Sequence, residues 1–229
     1  MQRKADGSPV TDVDRQVEST LRELIARESP GDAVVGEEFG GEAGAGRCWY
    51  LDPIDGTAAF CEGSDRWCTL VALAEGARVL LGVADFPVRR RRVWAGTGRG
   101  AFDAKTRMRV STVERLSQAT ICDDYSHSVE RKASGHPLVR LAAAGRAVRP
   151  HQGHSSLVVA TGQAEVALSS TGGPWDYAPF VAIVAEAGGA SSDLLGIPRF
   201  DGGTQLWTNG RVHHEALGVV QGAAHPGER

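Results

Sequence analysis

Acidic residues stand at five places where strand-like and helix-like segments of this chain begin or end: Asp14, Glu37, Asp52, Asp55 and Asp176. Two of them flank Pro53 and Ile54 in 49-WYLDPIDGTAAF-60 and run directly into Gly56-Thr57. Carboxylates held at close range raise one another's pKa, so a convergent set stays ionised only when a cation neutralises it. Oxygen-only ligation selects a hard cation such as Mg²⁺, which keeps several of its waters and takes few carboxylates. Two such ions a few ångströms apart would activate a water and stabilise a leaving oxygen in phosphoryl transfer. Gly56 would let the backbone approach an anion, and the amides of a following helical turn would donate to phosphate oxygens. The Thr57 hydroxyl is placed to orient the nucleophilic water. The same residues also fit an ordinary turn closed by Asx-type hydrogen bonds, and the spacing alone leaves both readings open.

The elements that must carry these residues follow from periodicity. Residues 11–28 place Val13, Val17, Leu21, Leu24 and Ile25 on one helical stripe, with Thr11 or Asp12 as N-cap and Ser29-Pro30-Gly31 as the stop. Residues 33–36, 48–52, 67–75, 79–86 and two short runs within 93–102 are strand-like, with Gly-containing turns between several of them. The second half changes character. Residues 137–145 and 154–162 are helix-like, 164–169 forms a strand, and 174-PWDYAPFVAIVAEAGG-189 is a helix with Pro174 at its first position and Gly188-Gly189 at its end. Strands near 190–193 and 205–208 and a helix from Val212 complete the chain, with 222–229 as a flexible tail. The expected fold is α+β, a single domain over 1–229. Its half 1–110 is meander-rich and metal-binding, and 111–220 is an α/β half.

Composition narrows the class. The 229 residues are 41% hydrophobic and 23% charged, with a formal net charge of −3, so no basic footprint for nucleic acid is present. No apolar run approaches the ~20 residues that span a bilayer, and the start MQRKADGSPV lacks the apolar core of a signal peptide. A cytoplasmic protein with neither nucleic-acid nor membrane partner is expected. Four cysteines, Cys48, Cys61, Cys68 and Cys122, form no CxxC pair and are expected to be free thiols. The run 89-RRRR-92 is expected at a solvated hairpin tip, Asp123-Asp124 in an exposed turn, and Asp85 outside the site.

The segments WYLDPIDGT, the preceding 36-GEEFGG-41 and the later 175-WDYAPFVAIVAEAGG-189 together resemble the two signatures of the inositol monophosphatase family of Mg²⁺-dependent, lithium-sensitive phosphatases. Supporting matches are 8-SPVTDVDRQVE-18, 96-GTGRGAF-102 and 109-RVS-111, and the resemblance runs from about residue 4 to about 220. By eye it is strongest to the bacterial histidinol-phosphate phosphatase branch. It implies a layered αβαβα sugar-phosphatase fold, a phosphoric monoester hydrolase, a homodimer, and two or three Mg²⁺ ions, with Mn²⁺ as a substitute and Li⁺ as an inhibitor. It further implies that Glu37, Asp52 and the Ile54 carbonyl hold the first metal, and that Asp52, Asp55 and Asp176 hold the second. Thr57 with Asp14 would position and deprotonate the attacking water, Glu37 would assist, and the amides of Gly56 and Thr57 would cradle the phosphate. Glu38 is expected to point elsewhere, as the next side chain along extended backbone.

Departures from the family pattern bear on the substrate. Ala59 replaces a usual asparagine in 57-TAAF-60, Ser169 stands where relatives commonly place a glutamate, and His151-Gln152 stands where the histidinol-phosphate branch tends to show Gly-Asp. The N-terminal helices usual in the family are not seen ahead of residue 11, so the start is either short or truncated. A serine cannot give an ammonium the charge-assisted bond of a carboxylate, worth roughly 1.5–3 kcal/mol. The expectation is a small neutral or weakly polar phosphate monoester, with Gln152, Ser169, His151 and His154 as specificity residues. The alternatives are a histidinol-phosphate or inositol-1-phosphate phosphatase, or a catalytically weak relative kept for binding or regulation.

Overall fold

The computed structural model describes residues 2–3, 9–124, 136–151 and 153–222. Its elements are β1 (Gln2–Arg3), β2 (Pro9–Val10), α1 (Asp12–Glu28), β3 (Ala33–Gly36), β4 (Arg47–Asp55), α2 (Thr57–Cys61), β5 (Cys68–Glu75), β6 (Arg78–Phe86), β7 (Arg91–Gly96), β8 (Gly100–Asp103) and β9 (Thr106–Arg107). There follow a 3₁₀ turn (Leu116–Gln118), β10 (Thr120–Asp124), α3 (Pro137–Ala144), β11 (Ala147–His151), α4 (Ser155–Ala160), β12 (Val166–Ser169), α5 (Pro174–Glu186), β13 (Ala190–Ser192), β14 (Gln205–Thr208) and α6 (His213–Val220). Strands β3 to β9 form a seven-stranded sheet in chain order, parallel only at its β3–β4 edge. The second sheet has the order β11-β10-β12-β14-β13.

Side-chain alternation stacks these sheets into layers. Along β5, Cys68, Leu70, Ala72 and Ala74 are buried and alternate with partly exposed Thr69, Val71 and Leu73. The buried set packs with Tyr177, Phe180, Ile183 and Val184 of α5 and with Leu157 and Val159 of α4. The same core takes in Cys122, Ala167 and Trp207 from one face of the five-stranded sheet. Residues of opposite parity, Ile121, Val166, Leu168 and Leu206, join a second core with Leu138 and Leu141 of α3 and Val212, Ala216 and Val220 at α6. With α1 against β4 on the outer face of the large sheet, the order is helix, sheet, helix, sheet, helix. This is the expected αβαβα arrangement.

Three expectations change. The most buried positions of α1 are Asp14 and Glu18 together with Ile25, whereas Val13 and Leu24 are exposed; the helix turns an acidic i, i+4 line inward. Glu18 accepts from Arg22 Nε at 2.8 Å and from the backbone N–H of Glu38 at 2.8 Å, so the buried charge is paired. Glu37-Glu38 sit in a turn, so the alternation assumed for Glu38 does not apply there. Asp123 lies half-buried in β10 rather than in an exposed turn, beside the parallel strand β11. Both strands lack alternating apolar runs long enough to be read, because they are parallel neighbours in a small sheet.

Candidate active site

Three departures from regular backbone assemble the site. The first is in β4, where Asp52 pairs with Leu70 and Asp55 pairs with Cys68, so three steps on one strand match two on its partner. In a regular strand residues three apart point to opposite faces; the bulge brings Asp52 and Asp55 onto one face. Pro53 sits inside this bulge, where a missing N–H does least harm, and its carbonyl accepts from Thr69 Oγ1 at 2.8 Å. Ile54 N–H donates to Asp52 Oδ1 at 3.0 Å, so the Asx-type turn that the sequence allowed is also present. The second departure is Gly56, which caps α2 with φ +92°, a left-handed conformation that directs Thr57 inward.

The third is a device used at two helix starts. Asp14 is the third residue of α1 counted from its cap, and its Oδ2 accepts from Thr11 N at 2.8 Å and Thr11 Oγ1 at 2.5 Å. Asp176 holds the same position in α5, where its Oδ2 accepts from Gly173 N at 2.5 Å. Each carboxylate spends one oxygen on its own helix and is thereby aimed. Asp14 Oδ1 lies 3.5 Å from Thr57 Oγ1, which also donates to the Ile54 carbonyl at 3.1 Å. Asp52, Asp55 and Asp176 each bring a carboxylate oxygen within 4.8 Å of the others. Glu37 hydrogen-bonds to Asp52 and adds its charge to the cluster.

The electrostatics fit a cation. Burial first, then the charges of Asp55, Glu37 and Asp176, push the Asp52 carboxyl well above the usual carboxylate range. Burial and then Asp55 raise Asp176 to about 7. Without a positive partner this group holds protons; an all-oxygen donor set of this kind suits a hard cation.

Beside the cluster opens a cavity of about 420 Å³, floored by Asp55, Gly56 and Asp176. His154, Ser169, Tyr177, Phe180, Trp207 and Arg66 form part of its walls. Ser169 is one of the sequence-selected residues here, its Oγ accepting from Trp207 Nε1 at 3.0 Å. His154, the cap residue of α4, brings Nε2 to 2.5 Å from Asp55 Oδ2. His151 instead lines a neighbouring cavity of about 190 Å³ with Arg66, Arg89 and Arg91. Burial and then Arg149 lower its pKa. Gln152 lies outside the described residues. Asp85 is spoken for by Arg92 Nε at 2.7 Å, outside the site. The sequence reading missed Cys68 and the aromatic walls Tyr177 and Phe180, for each belongs to an element whose periodicity is accounted for by packing, and Arg66, which lies in the irregular segment between α2 and β5.

A family model for the inositol monophosphatase family matches residues 2–225. The histidinol-phosphatase of Mycobacterium tuberculosis (strain ATCC 25618 / H37Rv) is 38% identical over 221 residues, covering 93% of this chain and 85% of that protein. The inositol-1-monophosphatase of Synechocystis sp. is 31% identical over 218 residues, 91% of this chain and 75% of that one. The solved structure of the Thermotoga maritima IMPase superposes with a TM-score of 0.80 at 29% identity, covering 96% of this chain and 86% of that one.

Proposed function

Because this chain belongs to the inositol monophosphatase family, we propose that it is a Mg²⁺-dependent phosphomonoesterase acting on a sugar, cyclitol or nucleoside phosphate. The observation that carries the reading is the meeting of Asp52, Asp55 and Asp176 within 4.8 Å beside the cavity. Glu37, Asp52, Asp55, Asp176 and the Ile54 carbonyl would hold two or three Mg²⁺ ions, with Mn²⁺ able to substitute and Li⁺ inhibitory. Bound there, the cations neutralise the carboxylates and supply Lewis-acid stabilisation of phosphoryl oxygens. The chain's own groups do the rest. Thr57 Oγ1 orients the attacking water and passes its proton toward Asp14, whose other oxygen is fixed by Thr11. Glu37 would support the same deprotonation, and the amides of Gly56 and Thr57, at the start of α2, would cradle the phosphate.

The cavity lining supports a substrate without a cationic group. Apart from Asp55 and Asp176, it includes no carboxylate among the described residues, while Arg66 adds positive charge. Histidinol phosphate is the second reading, favoured by the 38% identical relative of that name. The test is phosphate release, with and without Mg²⁺, from a panel of cyclitol, sugar, nucleoside and histidinol phosphates, alongside Asp52→Asn. Wild-type turnover no faster than that of the variant on every ester sinks the enzyme reading. A kcat/KM for histidinol phosphate far above all others sinks the substrate class alone.

We read the chain as one functional unit, because both sheets contribute to the cavity walls. A homodimer belongs to this reading, supported by the partly exposed apolar outer face of the large sheet around Val71, Leu81, Val83 and Trp94. So does a cytoplasmic location, which the four free cysteines support. No helix among the described residues is long and apolar enough to cross a membrane.

A further inference from the structure

Asp55 also meets ligands of a different chemical kind. Asp55 Oδ2 lies 2.5 Å from His154 Nε2 and 3.9 Å from Cys68 Sγ, and the sulfur and the ring nitrogen are 3.3 Å apart. The three atoms come from β4, β5 and the cap of α4, so packing rather than a flexible loop holds them. Cys68 is fully buried, and the His154 ring is wedged edge-on to Phe86 and against Phe180 at centroid distances of 5.3 and 5.1 Å. A tetrahedral Zn²⁺ with bonds of ~2.0 Å to oxygen and nitrogen and ~2.3 Å to sulfur requires ligand separations of roughly 3.3–3.6 Å. Cys68 Sγ, at 3.3 Å from the nitrogen and 3.9 Å from the oxygen, lies close to that range, while the 2.5 Å between Asp55 and His154 is a hydrogen bond that must open by about 0.8 Å for an ion to enter. Asp55 and His154 both line the cavity, which leaves a fourth position for water or a substrate oxygen.

We propose that Asp55, Cys68 and His154 form a second cation site, selective for Zn²⁺-like ions, that shares Asp55 with the Mg²⁺ cluster and therefore makes hydrolysis sensitive to zinc. Mg²⁺ has no use for a thiolate or an imidazole, whereas a borderline-soft cation prefers both to carboxylates alone. Binding releases the thiol proton, and the neutral His154 ring carries its proton on Nδ1, which leaves Nε2 and the Asp55 oxygen to the cation. With Asp55 drawn to zinc, the Mg²⁺ cluster loses a ligand.

Only the competition between the two ions rests on the proposed Mg²⁺ role of Asp55; occupancy of the Cys-His-Asp site does not. The test uses the full chain carrying Cys61→Ser, which removes the exposed thiol. Co²⁺ added as a stand-in for Zn²⁺ should produce thiolate-to-cobalt charge-transfer absorption in the near ultraviolet, lost in Cys68→Ser and in Cys68→Ala. Zn²⁺ should inhibit Mg²⁺-dependent phosphate release, with inhibition relieved as Mg²⁺ is raised. Both Cys68 variants should need about 10–100-fold more Zn²⁺ for the same inhibition, the range seen when metal sites lose supporting groups. Absence of the cobalt band in protein that retains Cys68, or identical zinc inhibition in that protein and both variants, overturns the proposal. A chain that shows the band but no Mg²⁺-dependent turnover overturns the phosphatase reading instead.

Discussion

At the scale of single residues, the site is a set of carboxylates that the fold holds at a cost. Asp52 is buried, crowded by Asp55, Glu37 and Asp176, and has one backbone donor in Ile54 N–H. Asp52→Asn keeps the acceptor for that donor and removes the like-charge repulsion. The metal-free variant should therefore melt a few degrees above metal-free wild type, at ~2–4 °C per kcal/mol for a chain of this length. The same substitution should abolish Mg²⁺-dependent phosphate release, a combination that differential scanning and an activity assay read separately. The pH dependence follows from Asp176, whose pKa rises from 3.8 to about 7 on folding. A raised carboxyl binds more protons folded than unfolded, so its contribution is fully present below the unfolded value and is lost as pH rises through about 7. Metal-free protein should lose melting temperature between roughly pH 4 and pH 7 from this group, and saturating Mg²⁺ should restore more at the upper end than at the lower. A metal-free melting temperature that climbs across that window contradicts the assignment.

Elements turn these residues into an arrangement, and here sequence and structure part company in instructive ways. The strands of the large sheet were legible because each buries one face: β5 alternates without a break from Cys68 to Glu75. Helix α5 was legible from Pro174 and Gly188-Gly189, and Asp52, Asp55 and Asp176 from their motifs. The burial of Glu18 in α1 was not, because it rests on hydrogen bonds to a segment distant in sequence, which periodicity does not register; Asp14 was read from its place among the converging acids. The His154–Asp55 pair spans 99 positions and was equally invisible. Helix α2 depends on one backbone conformation. A side chain at Gly56 would be strained at φ +92° and would place its Cβ 2.9 Å from the Arg66 carbonyl. Gly56→Ala should destabilise the chain by roughly 1–3 kcal/mol and lower kcat/KM through displacement of Thr57. Chemical denaturation and steady-state kinetics on the same preparation check both effects; retained kcat/KM would show that α2 does not position the reacting groups.

At the scale of the whole molecule, the middle helical layer decides whether the site exists. Gly82 in β6 lets α5 approach so closely that a Cβ there would stand 2.1 Å from the Pro179 carbonyl. Gly82→Val should cost about 3 kcal/mol or more, at the upper end of overpacking, and should raise the Mg²⁺ concentration for half-maximal activity because α5 carries Asp176. Unchanged Mg²⁺ dependence in a folded variant would uncouple the layer from the site. The acids themselves arrive from opposite sides of a seam: Asp52 and Asp55 from the large sheet, Asp176 from the layer shared with the small one. A cation held by all three, as proposed, would therefore be a fastener between layers as well as a reagent. Chelation should accelerate amide hydrogen exchange along α5 and in the strands it covers, tens of residues in sequence from Asp52, while α3 and α6 on the far side of the small sheet keep their protection.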